Sequence, residues 1–235
     1  MTFPLLVFSP HLDDTVLSCG QLLATHRGST VCTVFTAPAR HDQLTDWDRA
    51  SGFTSALEAT DARKAEDRRA LATLGARPLH LPFCDSQYGS TPTQASLLEA
   101  FSDILQDLKP RTVLFPLGLF HSDHILVADV LLALLQQRNA DNFIAYEDVP
   151  YRRMEGAVQN RLADLAMRGY VATRSDCLDA SADSHADSGQ KKRSAIHEYE
   201  SQLRAFGPDV RDALFSSEHY WHLQFSASQT DTAEY

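Results

Sequence analysis

Two short clusters in the chain hold the residue types that do hydrolytic chemistry. The first is Ser9-Pro10-His11-Leu12-Asp13-Asp14 and the second is His121-Ser122-Asp123-His124. A catalytic zinc ordinarily takes three protein ligands from histidine and carboxylate and leaves a fourth position for water. His11, Asp14 and His124 can supply those ligands. Two neutral imidazoles and one carboxylate leave the ion net cationic, so it lowers the pKa of its water and polarises a carbonyl. A further carboxylate beside that water acts as general base, and Asp13 is the candidate. His121 is the candidate to stabilise a developing oxyanion or to protonate a leaving amine. Asp123 is the candidate to orient and charge-stabilise a histidine. Each cluster has a plainer rival. Asp13 or Asp14 can cap the helix that follows, and His-x-Asp-His can sit in a solvated loop. Finding both at strand ends favours a metal site, because gathering histidines and carboxylates is costly unless something binds there.

Strand ends are where the hydropathy pattern puts them. Phe3 to Phe8 is a short apolar run that reads as a buried strand, and Asp14 to Thr25 carries apolar residues at helical spacing. Thr30 to Phe35 is a second strand and Pro78 to Phe83 a third. Asp61 to Leu74 is a helix stopped by Gly75, and Thr93 to Leu108 a helix stopped before Pro110. Thr112 to Phe115 is a fourth strand, Ile125 to Gln137 a helix and Phe143 to Tyr146 a fifth strand. The polar stretch Pro38 to Thr60, with Trp47, reads as a long loop. Strands alternating with helices predict an α/β, Rossmann-like domain with a mostly parallel sheet flanked by helices. With strand order 3-2-1-4-5, strands one and four are neighbours where the order reverses, and the two clusters face one crevice. Farther on, Ala157 to Met167 reads as a helix, Asp176 to Gly189 as a flexible loop, Lys191 to Phe206 as a helix and Phe215 to Phe225 as a final strand. One domain over residues 1–225 and a polar tail from 226 to 235 are expected.

Composition narrows the function classes. Of 235 residues, 21 are Lys or Arg and 31 are Asp or Glu, a formal charge of −10 that argues against a general nucleic-acid or anionic-membrane partner. Four cysteines stand far apart with no CxxC pair, which removes zinc-ribbon and thioredoxin-like readings. No apolar run approaches the ~20 residues of a membrane span, and the start lacks the basic, then apolar pattern of a signal peptide. A cytoplasmic protein is expected. The first turn lacks GxGxxG, so a dinucleotide enzyme is disfavoured.

At these residues the chain resembles the PIG-L or LmbE-like family of N-acetylglucosamine deacetylases. Pro10-His11-Leu12-Asp13-Asp14 is similar to the family's AHPDDE-type motif and His121-Ser122-Asp123-His124 to its HxDH motif. Arg63 and Glu66 with Leu74-Gly75, Asp85 after strand three, and Lys192 with Tyr199-Glu200-Ser201-Gln202 are supporting similarities. The resemblance implies a Rossmann-like fold, a zinc or other divalent transition metal on His11, Asp14 and His124, Asp13 as base, and His121 as electrophile or acid oriented by Asp123. It implies hydrolysis of an acetamide on a GlcNAc-type sugar within a small-molecule conjugate, with Asp85 and Arg63 as substrate contacts. Two positions depart from the family pattern: Leu12 replaces its proline and Thr15 its acidic residue. The tyrosine that some members carry before HxDH is also absent, leaving Tyr88 and Tyr151 as candidate phenols. Another acyl amide as substrate, or a catalytically degenerate sugar-binding member, are the alternatives. His80 reads as a satisfied core histidine, and Trp47 as a loop anchor or a platform for a sugar ring.

Overall fold

The structure is a computed structural model. It describes residues 3–226 apart from 40, 42, 139–141 and 176–181, and gives backbone alone for 138, 182–186, 208, 209 and 212. The tail beyond 226 lies outside the described residues.

The chain runs β1 (Leu6–Ser9), α1 (Asp14–Thr25), β2 (Thr30–Thr33), α2 (Asp46–Ala50), α3 (Ala56–Leu74) and β3 (Arg77–His80). It continues through α4 (Gln94–Leu108), β4 (Thr112–Pro116), α5 (Ser122–Arg138), β5 (Asn142–Tyr146) and α6 (Ala157–Met167). It closes with β6 (Tyr170–Arg174), α7 (Ala182–His197), α8 (Glu200–Ala205), α9 (Pro208–Leu214) and β7 (Tyr220–Phe225). The sheet order is β3-β2-β1-β4-β5-β7-β6. The first five strands are parallel, with Leu6 opposite both Thr30 and Val113. β7 pairs antiparallel with β5 and with β6. The fold is thus α/β with a mixed, mostly parallel sheet, and β1 lies beside β4.

Strands of a two-faced sheet carry apolar side chains in both directions. Leu6 and Phe8 point into the core beneath α4 and α5, with Phe101, Phe115 and Leu131. Leu5 and Val7 point the other way, onto Val16, Leu23, Leu71 and Ile196. The helices on both faces make this alternation possible, and they hold the sheet rigid at its carboxyl end.

Three expectations need correction. The stretch 38–60 is not one loop: Thr45 accepts the Asp48 N–H while Asp48 accepts the Thr45 N–H, a capping box that starts α2, and Ser55 caps α3 by accepting the Glu58 N–H. Its polar residues are caps, which is why polarity alone misread them. Residues 182–189, expected as loop, belong to α7, which packs along α1 and buries Lys192, Ala195 and Ile196; 176–181 lie outside the described residues. The helix expected from Lys191 to Phe206 breaks between His197 and Glu200. β6 was not anticipated; it forms because β7 offers it a pairing edge. α3 ends as expected, with Gly75 in the left-handed region at φ 72°.

Candidate metal centre and substrate cleft

The turn after β1 is pinned by one hydroxyl. Ser9 Oγ donates to the His11 carbonyl at 2.7 Å and accepts the Thr15 N–H at 3.1 Å. His11, Asp13 and Asp14 therefore leave the strand end in a fixed turn, with Asp13 at the N-cap of α1. The capping rival fails there, because the Asp13 side chain makes no cap hydrogen bond. Its carboxyl lines the cleft instead, 8% exposed. Burial, reinforced by the charge of Asp14 and opposed by His11, Arg63 and His124, raises it to about 7.

Asp14 faces two histidines. Its Oδ2 accepts the His11 N–H at 2.8 Å and lies 3.1 Å from both His11 Nδ1 and His124 Nε2. Burial opposes the Asp14 charge, but His124 and His11 outweigh it and hold the carboxyl well below its ordinary range. Burial likewise opposes a proton on His124, yet Asp14 and Asp148 hold its pKa up at about 9. His11 is also raised, by Asp85, Asp123 and Asp14 against burial.

His124 is fully buried, and its Nε2 meets the Asp14 carboxylate at 3.1 Å without the direction of a proper hydrogen bond. A buried ring nitrogen so placed needs an explanation. The ligand atoms of His11, Asp14 and His124 all lie within 4.8 Å of one another. Around a tetrahedral ion with ~2.1 Å bonds, ligand atoms stand roughly 3.4 Å apart, so the three residues fit a metal with only small outward movement. His11, His121 and Asp123 form a second possible group. There Asp123 Oδ2 already accepts the Ser86 N–H at 3.2 Å and His121 Nδ1 accepts the Asp123 N–H at 3.2 Å. The first set is the better cradle.

The buried carboxylate of Asp148 completes it. Its Oδ1 lies 2.5 Å from His124 Nδ1, while Oδ2 accepts the N–H groups of Gly118 and Leu119 at 3.0 and 3.1 Å. This keeps a proton on Nδ1 and makes Nε2, which faces Asp14, the atom that gives up its proton to coordinate, the usual partnership of a metal-binding histidine. Sequence reasoning missed Asp148. The available signal was its position two residues past β5, at the carboxyl end of the strand next to β4. Gly118 makes the arrangement possible: it sits at φ 85°, and a Cβ there would come within 2.9 Å of the Ala128 Cβ.

Asp123 acts on a different histidine from the one expected. Its Oδ2 lies 3.1 Å from His11 Nε2, and only its backbone N–H reaches His121. That bond occupies His121 Nδ1 and leaves Nε2 to carry the proton. Burial, then the positive His11 and His124, lower the His121 pKa, so its ring is a neutral donor. Asp85 caps a short helical turn, accepting the Gln87 N–H at 2.9 Å, and stands 3.7 Å from His11 Nε2. Arg63 is buried against Asp48 at 3.0 Å, with its Nε unpartnered. Tyr88 donates to the same Asp48 at 3.1 Å.

His11, Asp13, Asp14, Arg63, Asp85, Tyr88 and His121 line one cleft of about 400 Å³. Trp47, Gln202, Phe206 and Tyr151 line it as well, and Tyr151 packs against His121 and His124. Trp47 lies on α2, not in a loop, and its Nε1 donates to Gln202 Oε1 at 2.8 Å. It thus anchors the segment and faces the cleft at once. Glu66 holds α8 by accepting the Ser201 N–H and hydroxyl, and His80 pairs with Asp67 at 2.7 Å, as expected of a core histidine. Thr15 is buried and is not among the described cleft-lining residues.

The family model described as PIG-L, GlcNAc-PI de-N-acetylase, matches residues 6–135, more than half of the chain. No curated protein matches. Among solved structures, the A40926 pseudoaglycone deacetylase Dbv21 superposes with a TM-score of 0.73 at 23% identity, covering 97% of this chain and 100% of that one. The zinc-inhibited form of teicoplanin deacetylase Orf2 gives 0.76 at 20% identity, covering 96% and 99%. The 4-carboxy-2-hydroxymuconate hydratase GalB of Pseudomonas putida gives 0.56 at 19% identity, covering 95% of each chain. At these identities the likenesses show the fold and not the reaction.

Proposed function

The chain belongs to the PIG-L, GlcNAc-PI de-N-acetylase, family, and from that premise we propose that it is a metal-dependent N-deacetylase of an N-acetylated amino sugar carried by a small-molecule conjugate. The observation that carries this reading is the cradle of His11, Asp14 and His124, with the uncapped carboxyl of Asp13 beside it. The metal, when bound, supplies a Lewis acid for the acetamide carbonyl and an acidified water.

The chain's own groups do the rest. Asp13, whose carboxyl lines the cleft beside the cradle without capping the helix, is placed to take a proton from water and return one to the leaving nitrogen. The amide C–N bond breaks, the acetyl carbon gains the water oxygen, and the products are acetate and a free amine. His121 presents Nε2–H as a neutral donor to the carbonyl oxygen as it becomes negative. Asp123 orients the His11 ring from Nε2, while Nδ1 faces Asp14 across the cradle. Asp85, Arg63 and Gln87 offer polar contacts for sugar hydroxyls along the cleft. Tyr151, whose phenol burial keeps undissociated, is the candidate for the hydroxyl that other members carry before HxDH. The domain on this reading runs to residue 225.

The test is acetate release from N-acetylglucosamine conjugates by protein stripped of metal and reloaded with zinc, cobalt, manganese or iron(II). Several metals are needed because the teicoplanin deacetylase Orf2 has a zinc-inhibited form. Turnover that depends on reloading supports the proposal. Failure with every metal and every conjugate refutes it, and release of a longer acyl chain in preference to acetate would redirect it to another amide.

A further inference from the structure

Phe120 stands between the buried Leu119 and His121, and its ring is 66% exposed. It is held there by strain. Its φ is 59°, a conformation that bulky residues rarely adopt. The His121 N–H bridges back over it to the Leu119 carbonyl at 2.6 Å, closing a tight three-residue turn. The turn fixes His121 and at the same time drives Phe120 out over the cleft mouth. Tyr151 continues the surface: its ring centroid lies 5.6 Å from Phe120, and it stacks on His121 at 6.1 Å. Backbone strain beside catalytic groups points to a use for the side chain it displays.

Charge limits what that surface can receive. Arg63 is the only Lys or Arg among the described cleft-lining residues, and Asp48 already neutralises it. Asp13, Asp14 and Asp85 line the same cleft. A divalent ion offsets two of these three carboxylates, so no free positive charge remains for a phosphate or carboxylate on the substrate.

We propose that Phe120 and Tyr151 form a platform for an uncharged aromatic aglycone, so that this cleft selects neutral aryl conjugates of an N-acetyl amino sugar over alkyl conjugates and sugar phosphates. The inference rests on the N-deacetylase reading for the position of the sugar. The test uses the metal-loaded enzyme with three N-acetylglucosamine derivatives: the para-nitrophenyl glycoside, the methyl glycoside and the anomeric phosphate. Acetate release should give a KM for the aryl glycoside about tenfold below the methyl one, with the phosphate poorest. Phe120→Ala should bring the aryl-to-methyl ratio close to one, and Phe120→Trp should restore it. A ratio near one in the unmodified enzyme, a ratio unchanged in Phe120→Ala, or a preference for the phosphate overturns the proposal. Calorimetric binding of the same three compounds separates the two readings. If nothing is hydrolysed but the aryl preference and its loss in Phe120→Ala persist, deacetylation fails and the platform stands. If acetate is released with no aryl preference in either measurement, the platform fails alone.

Discussion

Asp148→Asn isolates the role of a residue that touches neither water nor the bound ion. The wild-type carboxylate satisfies three donors, the Gly118 and Leu119 N–H groups and His124 Nδ1–H. An asparagine oxygen can keep the two backbone donors. Leaving both unpaired would cost on the order of 2–6 kcal/mol, so the side chain will orient its oxygen toward them. Its amide NH2 then meets His124 Nδ1 and donates to it, which leaves the one proton of the neutral imidazole on Nε2, the atom that faces Asp14. A metal must displace that proton and break the new bond. Loss of such a support typically lowers metal affinity ~10–100-fold, or ~1.4–2.7 kcal/mol. Competition against a chromophoric chelator at neutral pH measures this, with urea unfolding of the metal-free protein as control. The fold should lose far less than in Asp148→Ala, which removes the acceptor altogether. An Asn variant that binds zinc as tightly as the unmodified protein would refute the tautomer argument.

Asp13→Asn should lower kcat by ~10²–10⁴ while leaving metal affinity within a few fold, measured by acetate release and chelator competition. Its effect on the metal-free fold has a definite sign. Because burial raises the Asp13 carboxyl to about 7, its contribution is fully favourable below its unfolded value of ~3.9 and is lost as pH rises through 7. Unfolding at pH 8 should therefore find Asp13→Asn more stable by a few kcal/mol, at most ~4, and unfolding at pH 4 should find no gain. His124, held at about 9 without metal, must give up its proton to coordinate. Apparent affinity should thus rise at least ~tenfold per pH unit between 6 and 8, with proton release seen by calorimetry in buffers of different ionisation enthalpy. Gly118→Ala forces a Cβ to 2.9 Å from Ala128 at a left-handed φ, so the melting temperature should fall by several degrees and Asp148 should lose its grip on the loop.

The first five strands and the metal cradle were legible because they rest on local patterns. Leu6 and Phe8, or Val31 and Cys32, are buried whichever way they point, and short apolar runs report that burial directly. The HxDH and Pro-His-Leu-Asp-Asp clusters are contiguous, and their placement follows from which strand each ends. The cleft wall was less legible because its members meet only in space. Arg63 is set by Asp48, fifteen positions earlier, and Trp47 by Gln202, on a helix near the far end of the chain. Asp148 becomes a partner of His124 only once β5 lies beside β4. Polar runs also carry two opposite meanings: 45–58 supplies caps for two helices and 182–189 the first turns of a third, and polarity alone separates neither from a loop.

The parallel adjacency of β1 and β4 gathers the candidate reacting groups from one length of the chain. All three candidate ligands and the candidate base lie within residues 6–135, the stretch the family model matches. Part of the cleft lining, Tyr151, Gln202 and Phe206, comes from beyond it, and among the described residues of that later stretch Asp148 is the side chain that hydrogen-bonds a candidate ligand. The candidate reacting groups thus all come from the matched stretch, whereas the cleft lining draws on both, with Arg63, Asp85 and Phe120 from the earlier length and Gln202 and Phe206 from the later. An exchange of segments after Arg152 would change only the part of that lining that Gln202 and Phe206 supply, and would leave the Asp148 carboxylate in place.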